Sequence, residues 1–129
     1  MMRIMAAYLG ALLLATPATA QELMGEYFTS LRTEDMRNSS GQPLNDFCAI
    51  VQQDRANYHK FGLRHDTDQG DPFFTTPEMR ARITGSCRIM PGSEYVVERV
   101  LSGKPNYIWV RVFGINGLPT ELLISEGAG

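Results

Sequence analysis

Cysteine is scarce: Cys48 and Cys87 are the only two among 129 residues. That count rules out the dense cysteine framework of small inhibitor-like scaffolds. No pair is spaced Cys-x-x-Cys, so a dithiol redox motif is missing too. The chain has no Gly-x-Ser-x-Gly elbow and no His-Glu-x-x-His pair, and it has no glycine-rich phosphate loop. Serine hydrolases, zincins and nucleotide-binding folds therefore lose their sequence support. Charge of one sign is absent as well. Twelve Lys and Arg stand against 14 Asp and Glu, net −2, without the basic excess of a nucleic-acid binder. Beyond the N-terminus there is no long apolar run, so no membrane span is expected after the leader is removed. Repeats and low-complexity tracts are lacking.

What is present begins with a leader. Arg3 precedes the Leu- and Ala-rich run Ile4–Ala15, and Thr16-Pro17-Ala18-Thr19-Ala20 places alanines at −3 and −1 before Gln21. This is the pattern of a cleavable signal peptide over residues 1–20, followed by one small domain over 21–129. Twelve apolar residues reach about 18 Å as a helix, too short to serve as a retained anchor. Export places the protein in the periplasm or outside the cell, where two cysteines default to a Cys48–Cys87 disulfide.

The apolar pattern of the remainder predicts an α+β fold, with three or four short helices packed on a C-terminal antiparallel hairpin. Met24, Tyr27, Phe28 and Leu31 recur at i, i+3, i+4 and i+7, which predicts a first helix. A longer helix is expected from about Leu44 to Phe61, with Cys48 on its buried stripe and Gly62 at its C-terminal cap. Thr76-Pro77-Glu78 opens a short third helix, and Ser93 caps a fourth, with Val96, Val97, Val100 and Leu101 on one face. Asn116-Gly117 closes the hairpin, because a type I′ turn needs positive φ at both central residues. In the register the turn implies, Trp109 faces Ile124 and Val110 faces Leu123. Apolar residues then occupy both faces of the ribbon, and helices cover only one. Ile108, Val110, Val112 and Leu123 are the expected interaction face, open to a protein partner or to self-association.

The one polar constellation lies between residues 54 and 71. Both histidines of the chain, His59 and His65, fall there with Asp54, Asp66, Asp68 and Asp71. Imidazole with carboxylates suits a divalent metal, and His59, His65, Asp66, Asp68 and Asp71 are the residues that would hold it. The Asp66–Asp71 run resembles a calcium loop only out of register, with Gly70 fifth rather than sixth and Pro77 where the twelfth-position Glu belongs. The structural account gives each residue an ordinary task. Arg55, placed beside the buried stripe, needs a carboxylate partner, and Asp66 and Asp71 are the nearest in the following loop. No catalytic set emerges. The leading expectation is a small exported, non-catalytic binding or accessory protein that acts through a protein partner and needs no cofactor. The alternative is a metal-binding protein or metal-dependent enzyme built on the His59–Asp71 region.

Overall fold

The computed structural model describes Gly10 and residues 20–127. The expected leader therefore lies almost wholly outside the described residues. Four strands form one mixed sheet: β1 (Glu22–Leu31), β2 (Cys87–Ile89), β3 (Asn106–Ile115) and β4 (Leu118–Glu126), in the order β1-β3-β4-β2. β3 runs antiparallel to both β1 and β4, and β2 lies parallel to β4. Among the described residues three helices accompany the sheet: α1 (Phe47–His59), α2 (Pro77–Arg80) and α3 (Glu94–Leu101). A 3-10 turn, Thr33–Met36, follows β1.

The C-terminal hairpin forms as its turn chemistry requires, with Asn116 and Gly117 at φ of 52° and 78°. Its strands occupy the centre of the sheet, flanked by β1 on one side and β2 on the other. The register differs by one residue from the simple turn-derived pairing: Val110 faces Ile124 and Trp109 faces Ser125. An irregularity between Phe113 and Gly114 causes this, since Phe113 pairs with Glu121 while Gly114 pairs with Pro119. One extra residue on β4 slips every later pair and exchanges the faces of its side chains.

That slip relocates the expected interaction face. Ile108, Val110 and Val112 are fully buried and share the core with Leu122 and Ile124 of β4 and with Tyr27 and Leu31 of β1. Phe47, Ile50 and Val51 of α1, Val96 and Val100 of α3, and Phe74 and Ile83 complete this cluster. Leu123 points to the opposite side of the sheet and stays half-buried. The four residues therefore do not form one surface, because the helices cover the face that carries three of them.

The segment from Met24 to Leu31 is strand β1 rather than a helix. Its fully buried positions alternate through Tyr27, Thr29 and Leu31, the period of a strand with one face on a core, and Ser30 between them is covered by the 63–75 loop. Thr29 is the polar member of that alternation and is what hides it from a hydrophobicity reading. α1 starts later than expected, with Asp46 as its N-cap: the Cys48 N–H donates to the Asp46 carboxylate at 3.0 Å. Thr76 caps α2 as its sequence suggests, accepting from the Met79 N–H. Ser93 makes no cap bond; its Oγ accepts from the Glu126 N–H and ties the start of α3 to the end of β4. The Cys48–Cys87 disulfide joins α1 to β2. No helix among the described residues is long and apolar enough to cross a membrane.

Candidate functional site

Two features outside the apolar core are built with enough specificity to be candidates. One is the charged network at the end of α1, and the other is the face of the sheet that the helices leave open.

Arg55 lies at the centre of the network and is 0 % exposed. Its Nε donates to Asp54 Oδ2 at 2.9 Å, and its Nη1 donates to Asp71 Oδ1 at 2.8 Å and to the Gln69 carbonyl at 3.0 Å. Nη2 sits 2.8 Å from the same Asp54 oxygen and donates to Thr29 Oγ1 at 3.1 Å. The guanidinium plane also lies 4.1 Å from the Tyr27 ring centre and 4.7 Å from that of Tyr58. Burying a guanidinium is tolerated when its donors and charge are met in this way.

The acids of the loop are equally occupied. Asp71 Oδ1 also meets His59 Nε2 at 2.8 Å, and its Oδ2 accepts from the Phe73 and Phe74 N–H groups. Asp68 accepts from the Ser30 N–H through Oδ1 and from the His65 N–H through Oδ2. Gln69 pairs with Phe28 as a strand would: its N–H donates to the Phe28 carbonyl, and its side-chain oxygen accepts the Phe28 N–H. The loop from Leu63 to Thr75 has little regular structure, yet it is stitched along the outer edge of β1 and onto the last turns of α1. Such cover also shields part of an edge strand.

Titration behaviour follows from the burial. Burial pushes the Asp54 carboxyl up, against the pull of Arg55 and Thr29. Asp35, in the 3-10 turn, is pushed up to about 7 by burial and by the Asp54 charge, although the Arg32 N–H and the Asn57 side chain donate to it. Burial also acts to raise Asp71, but the bonds from His59 and Arg55 outweigh it and hold the group below the usual carboxylate range. The Tyr27 phenol is raised by burial, and its hydroxyl has no partner.

The residues proposed for a metal site separate into two places. His59 joins Asp71 inside the Arg55 network, whereas His65 pairs with Glu34 of the 3-10 turn at 2.8 Å. Asp68 stands against Thr29 and Ser30, and Asp66 is exposed. Among the described residues no three His, Cys, Asp or Glu side chains converge on one point. In the ion-pair network Arg55 meets Asp71 and Asp54, and Asp66 takes no part. Asp54 is the partner of Arg55 that sequence reasoning did not assign: it adjoins Arg55 in the chain, and the two meet because Nε and Nη2 converge on one Asp54 oxygen. Thr29 carried no signal at all.

The open face of the sheet carries a strip of stacked aromatic rings. Phe28 of β1 lies between Tyr107 and Trp109 of β3, with ring centres 5.6 and 5.8 Å away and planes tilted by 24° and 5°. The Arg111 guanidinium lies 4.4 Å over the Trp109 ring, and the indole N–H donates to Glu26. Arg88 and Glu121 form an ion pair on this face, and Met90 and Leu123 adjoin it. Ser125 is 8 % exposed, and its hydroxyl is sealed without a partner, as is Arg111 Nε. Bonds between neighbours lock these side chains into a surface instead of leaving them free in solvent. No known protein family, curated protein or solved structure matches the chain.

Proposed function

We propose that this protein is a small exported binding or accessory protein, without catalysis of its own, that engages a protein partner through the open face of its sheet. The aromatic strip Phe28–Tyr107–Trp109, capped by Arg111, carries this reading. Trp, Tyr and Arg are enriched among the few residues that dominate binding energy at protein interfaces, the aromatic ones because they offer large rigid area at low entropic cost. Here the rings are held by stacking on one another before any partner arrives, so little ordering remains to be done on binding. The leader pattern and the Cys48–Cys87 bridge support export, since a bridge of this kind persists in an oxidising compartment. The engagement of His59, His65, Asp68 and Asp71 within the fold argues for a structural task for those residues.

The test is photo-cross-linking in the native cell. A benzoylphenylalanine at position 88, on the same face but outside the strip, should give one discrete adduct with a different protein. Trp109→Ser should abolish it. An adduct of two copies of this chain would instead identify self-association. Failure to trap any protein, with the folded protein present in the expected compartment, would refute the reading. Recovery of the unprocessed chain from the cytosol would refute export.

A further inference from the structure

A second buried guanidinium is treated very differently from Arg55. Arg80, at the end of α2, is 5 % exposed. Its one side-chain bond is from Nη1 to the Phe74 carbonyl at 3.2 Å, and no carboxylate lies within 4 Å of it among the described residues. An arginine so deeply placed normally carries a carboxylate, because a desolvated cation without a counter-charge is costly. None of its nitrogens is sealed without a partner, so the unused N–H groups reach open space.

That space is a groove of about 380 Å³ between α1 and α2, on the helical side of the molecule. Leu44, Ala49, Ala56 and Pro77 supply apolar walls, and Gln52, Gln53 and Thr84 supply neutral hydrogen-bonding groups. No acid lines it. We infer that this groove binds an organic carboxylate, with Arg80 as the anchor of the carboxylate and the apolar walls receiving the body of the ligand.

The choice of anion follows from the lining. A planar guanidinium fork matches a carboxylate in two parallel N–H···O bonds. One cation balances one negative charge, whereas a phosphate dianion would leave charge unmet among neutral amides. The small Ala49 and Ala56 leave room for a ligand with apolar bulk. Beside them the Gln52 carboxamide and the Gln53 side-chain oxygen can pair with an amide group of the ligand, the Gln53 amide nitrogen being held by Asn57. A peptide C-terminus and a small organic acid both offer this chemistry. The site lies away from the open sheet face and stands independently of the function proposed for it.

Titration of isotopically labelled protein, followed by NMR, tests the inference with four probes: the tripeptide Ala-Ala-Ala as free acid, its C-terminal amide, propionate and inorganic phosphate. The free acid should shift the Arg80 side-chain N–H and the amides of residues 49–56 and 77–84 saturably, and the amide form should not. At least tenfold tighter binding of the tripeptide than of propionate marks a peptide C-terminus as the source; equal binding marks a small acid. Gln52→Glu introduces a resident negative charge without touching Arg80 and should weaken free-acid binding at least tenfold. Arg80→Gln should abolish it. Equal shifts from the acid and the amide, a response to phosphate alone, no saturable shift, or unaltered binding in Gln52→Glu would each overturn it.

Discussion

Stability should rise as the solution becomes mildly acidic, the reverse of common experience, and the reason lies in Asp35. Its carboxyl is pushed from its ordinary 3.8 up to about 7. A carboxyl whose native value is raised binds its proton more tightly when folded. Its contribution is fully present below the unfolded value and is lost as pH climbs through the folded one. The loss therefore spans about pH 4 to 7. Three units at ~1.4 kcal/mol each give roughly 4 kcal/mol for this one group, an upper figure because burial relaxes around a charge. Asp54, also raised, acts in the same direction. Asp71 and Glu34 are lowered, so their contributions disappear only below the ordinary carboxylate range. A maximum near pH 4–5 results. Urea unfolding at half-unit steps from pH 4 to 8 measures it, and Asp35→Asn should flatten the slope by up to ~1.4 kcal/mol per pH unit. A wild-type curve that is level or rising over that range would refute the reasoning. A slope left intact in Asp35→Asn would refute the assignment to this residue.

Two further outcomes follow from the packing. Arg55→Met leaves Asp54 and Asp71 buried without their cation, and it should cost about 3–5 kcal/mol by chemical denaturation. Adding Asp71→Asn should recover part of that loss, and the 63–75 loop should become cleavable by protease in the single variant. A Cβ on Gly114 would run into the Leu118 carbonyl and the Met24 sulfur at the hairpin irregularity. Gly114→Ala should therefore cost about 1–3 kcal/mol in thermal melts. Gly85→Ala, which meets open space, should stay within about 0.5 kcal/mol of the parent.

The parts of this fold that could be read from sequence are those decided by neighbours in the chain. Asn116-Gly117 defines its turn, Thr76-Pro77 starts its helix, and Gly62 takes the left-handed φ of 66° that ends α1. The parts that escaped depend on distant partners. Met24, Tyr27, Phe28 and Leu31 fit a helical stripe as well as a strand, and pairing with β3 decides between them. Thr29 is buried because Asp54, Asp68 and Arg55 wait for its hydroxyl, none of them near it in sequence. The hairpin was legible but the facing of β4 was not, because one irregular residue exchanged it. The aromatic strip stayed hidden because it needs β1 as a strand, whose pairing sets Phe28 opposite Trp109. At the polar site, the nearness of Arg55 to the loop acids was visible, whereas which acid answers it is settled only by how the loop lies along β1.

The pairing of β1 with β3 also orders events in time. Partners in this ladder are separated by 75 residues at Leu31–Asn106 and by 92 at Glu22–Gly114, so the earliest strand of the sheet closes against one of the last. At about 5–20 residues per second, a ribosome needs roughly 4–18 s to extend from one to the other. Through that interval β1 has no ladder to join, and the Arg55 network lacks the Thr29 position that completes it. Local turns and α1 can form early, but the sheet must wait for a distant loop to close, the slow step for topologies rich in non-local contacts. Nascent chains are therefore held open by connectivity alone, and a binding factor would find β1 unpaired for most of synthesis.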